Sequence, residues 1–86
     1  MKTYEFNVVL KGIAAVTDDQ ADALFEAGCD DGTPTCSGGA AWIHFDREAP
    51  SLEDAIRSAI AQVHAAGLDV LKIELDARSI VFQQAS

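Results

Sequence analysis

Positive charge is scarce in this sequence. Six Lys and Arg stand against 14 Asp and Glu, a formal net charge of -8, and the six are scattered at Lys2, Lys11, Arg47, Arg57, Lys72 and Arg78. Clustered cations are what neutralise a phosphate backbone, so direct binding to nucleic acid is not expected, and anionic membrane surfaces are disfavoured for the same reason. Long apolar runs are missing too. No stretch approaches the roughly 18 to 20 residues needed to span a bilayer. The opening MKTYEFNVVLKG is interrupted by Glu5 and Asn7, unlike the apolar centre of a signal peptide. No membrane partner and a cytoplasmic location are therefore expected. The two cysteines, Cys29 and Cys36, are too few for a disulfide framework. Along one extended segment they would lie about 23 Å apart, far beyond the reach of a disulfide.

Chemical signatures are equally sparse. Cys29, Cys36, His44 and His64 show no close pairing such as CxxC or HExxH, so neither a metal site nor a cofactor is expected. His44 and Asp46 share one face of a strand, which suggests an oriented base. Two residues along a strand are about 7 Å apart, however, too far for direct orientation without bending. No motif places a Ser, Cys or Thr nucleophile beside them, so no catalytic residue is assigned and the chain is not expected to be an enzyme. Asp30-Asp31-Gly32 lacks the spaced ligands of a calcium loop and reads as a turn.

What the sequence does contain is clear periodicity. From Ala40 to Leu75 it reads as strand, turn, helix, turn, strand. Ser51 can cap a helix, with Glu53 and Asp54 placing negative charge at the positive end of its dipole. Leu52, Ala55, Ile56, Ala59, Ile60, Val63 and Ala66 then form one apolar stripe, and Gly67 ends it. Glu53 and Arg57 are spaced to pair as a solvated flank.

The first part of the chain is a shorter version of the same unit. From Thr3 to Lys11, Tyr4, Phe6, Val8 and Leu10 alternate with Glu5, Asn7, Val9 and Lys11, as in a strand with one core face. Thr17 and Gln20 form a capping box for a helix through about Ala27, with Ala21, Leu24 and Phe25 as its buried stripe. Gly28 closes it, and the exits EAGCDDG and AAGLDVL are similar enough to hint at a duplicated unit. Cys29 behind that cap reads as a small buried residue. A short strand from Thr33 to Ser37 must lie at an edge, because Pro34 cannot donate to a ladder. Gly38-Gly39 suits a two-residue hairpin into the next strand.

That strand puts Ala41, Ile43 and Phe45 on one face and Trp42, His44 and Asp46 on the other. The last strand, Leu68 to Asp76, sets Leu71, Ile73 and Leu75 opposite Val70, Lys72 and Glu74. After Asp76, ARSIVFQQAS has no clear period, although Ile80, Val81 and Phe82 could lengthen an edge or dock on a neighbour.

The order strand, helix, strand, strand, helix, strand predicts an α+β, ferredoxin-like βαββαβ sandwich. It would be a single domain over the 86 residues, with strands ordered 4-1-3-2 and both helices on one face of an antiparallel sheet. A three-stranded sheet with a loop from Cys29 to Ser37 is the alternative. A domain of this size buries only roughly 60 to 65% of its unfolded surface.

The segments ALFEAGCDD (residues 23 to 31) and FDREAPSLEDAI (residues 45 to 56) resemble those of a group of small, largely uncharacterised bacterial proteins, in some of which this domain precedes a helix-turn-helix segment. The resemblance covers about residues 4 to 75. It implies a cytoplasmic regulatory or interaction module and supplies no catalytic residues. This chain ends near where the DNA-binding segment of the longer members would begin.

The open face of the sheet is expected to carry Glu5, Asn7, Val9, Lys11, Trp42, His44, Val70, Lys72 and Glu74, with Val9, Trp42, His44, Val70 and Lys72 as the candidate interface or ligand face. Trp is enriched at interface centres and twofold dimers dominate among oligomers, so a homodimer through that face is the expected assembly. A different protein partner and a small-ligand sensor are the alternatives, the latter by analogy of fold. Asp46, Arg47 and Glu48 are expected as a structural turn that launches the second helix, with Arg47 paired to a nearby acid. A clamp for a small acid is the other role open to Arg47.

Overall fold

The computed structural model describes residues 2–75. The elements in chain order are β1 (Lys2–Leu10), α1 (Asp18–Glu26), β2 (Gly32–Ser37), β3 (Ala40–Ala49), α2 (Leu52–Ala65) and β4 (Val70–Leu75). They form an α+β structure with one open, four-stranded antiparallel sheet in the order β2-β3-β1-β4. This is the strand order expected from the sequence, and β2 replaces the loop of the alternative. Asp76 and the Ile80-Val81-Phe82 segment lie outside the described residues.

Local chemistry explains where each helix begins. Thr17 accepts from the backbone of Gln20 while the Gln20 side chain accepts from the backbone of Thr17, which closes the capping box. Ser51 accepts from the backbone N–H of Asp54 and starts α2. Gly67 ends α2 at φ +89°, a left-handed conformation costly for residues with a Cβ. The tight turn between β2 and β3 uses Gly38 and Gly39, both at positive φ, as a two-residue hairpin with right-twisted strands requires.

Strand alternation then sorts the two sheet faces. Phe6, Val8 and Leu10 of β1 and Ala41, Ile43 and Phe45 of β3 are buried together with Leu24 of α1 and Ala55, Ala59 and Val63 of α2. Both helices therefore cover the same face. The Phe6 and Phe45 rings stack at the centre, with centroids 5.4 Å apart. Gly32, at the start of β2, sits so close to them that an added Cβ would meet Ile43 Cγ2 at 2.7 Å and a Phe45 ring carbon at 2.9 Å. Its smallness is a packing requirement.

Three sequence expectations are corrected here. Phe25 is 67% exposed, because α1 turns Leu24 inward and leaves Phe25 at a groove shared with Pro34 of the exposed edge strand β2. Val70 belongs to the core face. The ladder between β1 and β4 shifts register between Val9 and Leu10, so Lys72 faces Val9 but Val70 faces Leu10 and packs on the core. Asp46, Arg47 and Glu48 form no turn. They continue β3, paired with Glu5, Tyr4 and Thr3 of β1, and the helix is launched only after Pro50.

Candidate functional site

The face turned away from the helices is assembled by cross-strand register. One row runs Thr35, Trp42, Val9, Lys72; the next runs Thr33, His44, Asn7, Glu74; Asp46 then pairs with Glu5 and Glu48 with Thr3. Four of the five face residues picked out from the sequence, Val9, Trp42, His44 and Lys72, thus stand together. Val70 does not. The face is less apolar than expected, because Trp42 is half-buried and Val9 is only 7% exposed. It is also strongly acidic: Glu5, Asp46, Glu48 and Glu74 share it with Lys72, whose ammonium lies 3.3 Å from the Glu74 carboxylate.

His44 is the hub of this surface. Its Nδ1 is 2.7 Å from Asn7 Oδ1. With that oxygen as acceptor, Nδ1 carries the proton and donates, which leaves the lone pair on Nε2. Nε2 is 3.7 Å from Glu5 Oε1 and 3.7 Å from Asp46 Oδ1. The expected separation of about 7 Å between His44 and Asp46 holds for backbone positions two residues apart, but side chains on one strand face can lean together, and these do. An open depression of about 380 Å³ beside His44 is lined by Phe6, Asn7, Glu74 and Leu75. Glu5 and Asn7 stand on the face where the sequence places them, but their alternation on β1 signals only a polar face and not a site. Their convergence with His-x-Asp on β3 comes from interstrand register.

The second constellation is organised by Arg47, on the opposite face. Strand alternation points Arg47 inward and leaves Asp46 and Glu48 exposed, so its partner is not a sequence neighbour. Arg47 Nε donates to Asp31 Oδ2 at 2.8 Å and Nη2 to Asp31 Oδ1 at 2.7 Å, a two-point fork. Nη1 donates to Ser58 Oγ at 2.9 Å and Nη2 to the Gly28 carbonyl at 3.2 Å. The guanidinium also lies 4.9 Å over the Phe45 ring. One side chain therefore ties the α1–β2 connection, β3 and α2 together.

These bonds occupy four of the five guanidinium N–H groups, and Asp30, Asp31, Asp46 and Glu48 line the adjoining depression of about 610 Å³. That surrounding is unsuited to an acid ligand, and the geometry gives Arg47 a structural role. Nearby, Cys29 is buried and Cys36 exposed, both with free thiols. Burial pushes the Cys29 thiol up, against the opposing pull of Arg47.

The fork has a pH consequence. Hydrogen bonding to Arg47 holds the Asp31 carboxyl below its ordinary value, burial working in the opposite direction. A carboxylate whose pKa is depressed on folding contributes stability above its unfolded pKa and loses it as pH falls through the folded value. Stability should thus decline below about pH 4 as Asp31 protonates. Asp31→Asn is expected to cost roughly 1.5 to 3 kcal/mol at neutral pH and to flatten the decline on the acid side. Urea unfolding at several pH values would reveal it, and identical slopes for the two proteins would contradict the assignment.

No family model, curated protein or solved structure matches this chain.

Proposed function

We propose that the chain is a non-enzymatic regulatory module of ferredoxin-like form that binds a positively charged partner, a basic protein segment, through its open sheet face. One observation carries this: the helices cover one side of the sheet, and among the described residues the other side presents Glu5, Asp46, Glu48 and Glu74 around His44 together with Lys72. Carboxylates arranged on a rigid sheet favour and steer a cationic partner. They disfavour phosphate backbones and anionic membranes. The resemblance to small bacterial proteins that in some cases carry a DNA-binding segment supports a regulatory rather than a catalytic role.

Self-association through the same face is a second reading. It is favoured by the apolar end of the face, where Val9 and the 57% exposed Leu71 line one depression and Trp42 pairs across from Val9. The carboxylates would oppose a face-to-face pair of identical copies.

Trp42 is the one tryptophan of the chain, so its emission reports on this face directly. Titration with a Lys/Arg-rich peptide should shift the emission and raise the melting temperature, a neutral peptide of equal length should do neither, and Asp46→Asn should weaken the response. Unchanged emission and melting temperature up to about millimolar peptide, the range of very weak binding, would refute the proposal. Light scattering over a range of concentrations, with reductant present, decides the second reading: twice the 9.1 kDa chain mass, reverting in Trp42→Ala, would establish it, and a constant single-chain mass would remove it.

A further inference from the structure

We infer that Glu5, His44 and Asp46 form a binding site for a divalent transition cation of the zinc type, with Asn7 as the residue that orients the histidine. This rests on the open face being a binding surface, and it names the atoms of one site within that face. One nitrogen and two carboxylate oxygens, one from each of the three residues, all lie within 4.8 Å of one another. The Nε2–oxygen distances of 3.7 Å exceed hydrogen-bond length, so neither carboxylate is hydrogen-bonded to the ring nitrogen.

A tetrahedral zinc with ligands at about 2.0 to 2.2 Å sets its donor atoms roughly 3.4 Å apart. Binding therefore requires the donor atoms to draw in from the observed Nε2–oxygen spacing of 3.7 Å. The Glu5 and Asp46 side chains are 38% and 58% exposed, so a cation can reach them from solvent.

The orientation of His44 points the same way. A histidine that ligates through Nε2 ordinarily donates its Nδ1–H to an oxygen, which fixes the tautomer and raises the basicity of the ligating nitrogen. The 2.7 Å contact between Nδ1 and Asn7 Oδ1 supplies that arrangement across β1 and β3. A neutral imidazole with two carboxylates balances the charge of a divalent ion and leaves a coordination position for water or for a group from a partner. The mixed nitrogen and oxygen donors select zinc-type cations over calcium and magnesium, which prefer six or more oxygen ligands or a retained water shell.

The test is isothermal titration of the chelator-treated, desalted 86-residue chain with Zn²⁺, run beside Trp42 emission. Saturable one-to-one binding is expected. His44→Ala should weaken it at least 100-fold, Glu5→Gln and Asp46→Asn about tenfold each, and Asn7→Ala about tenfold through the orienting bond alone. Cys29→Ser, Cys36→Ser and His64→Ala should leave it unchanged. Imidazole ¹⁵N spectra of the unmutated protein give an answer independent of variant folding: added Zn²⁺ should move Nε2 of His44 and leave Nδ1 protonated.

Absence of binding up to about 1 mM Zn²⁺, binding retained in His44→Ala, or binding lost in a cysteine variant would each overturn the site. Failure here alongside a positive response to the basic peptide would remove the cation site and leave the proposed function standing. Silence in both would remove both.

Discussion

Arg47→Leu is expected to lower the unfolding free energy by about 3 to 5 kcal/mol, the range for removing one partner of a buried ion pair. A domain of this length has a total stability of only about 4 to 13 kcal/mol, so much of the fold's margin would be lost. The loss has three sources. The Asp31 carboxylate loses both fork bonds, the Gly28 carbonyl and Ser58 lose a donor, and Phe45 loses the cation over its ring. Asp31 keeps some contact with water, its side chain being 29% exposed, which places the cost toward the lower end of that range. Lysine is a poor replacement, since a point charge on a flexible stem cannot reproduce the fork. Arg47→Lys should recover less than half of the loss. The urea midpoint gives the answer, and a change below about 1 kcal/mol, typical of an exposed pair, would show that the network contributes little.

Phe45→Ala is expected to cost a similar 3 to 5 kcal/mol, by loss of transfer energy and by the cavity left behind. The ring has no exposure, stacks on Phe6 and is approached by the backbone of Gly32. Neighbours held this tightly cannot collapse fully into the gap. The same substitution removes the floor beneath the guanidinium, so Phe45 and Arg47 should not act independently. In a double-mutant cycle with Arg47→Leu, the summed single losses should exceed the double loss by about 0.5 to 3 kcal/mol. Strict additivity would mean that the ring and the cation stabilise the fold separately.

Much of the architecture is legible in the residues because local and global preferences agree. The alternation of Phe6, Val8 and Leu10, the Thr17 and Ser51 caps, the glycine exits and the Gly38-Gly39 hairpin each specify an element without reference to the rest of the chain. What was not legible depends on events between strands. The register shift beside Val9 sends Val70 to the core, and nothing local announces it. Arg47 was expected to pair with an acid close in sequence, but alternation separates it from Asp46 and Glu48, and its partner stands 16 positions earlier. The grouping of Glu5, Asn7, His44 and Asp46 likewise requires Asn7 to face His44 across two strands. A search for local metal-binding spacings passes over such a set, since its members belong to two alternating strands far apart in sequence.

The irregularity in β4 also bears on how the chain can change length. A residue deleted from a regular strand reverses the face of every side chain beyond it. At this position the ladder runs from Val9 opposite Lys72 to Leu10 opposite Val70, with Leu71 as the supernumerary residue between them. Loss of Leu71 would restore an unbroken alternation and still leave Val70 inward and Lys72 outward. Sequences that share this fold can therefore differ by one residue at this point without exchanging core for surface, and alignments that forbid a gap inside β4 would pair the wrong faces.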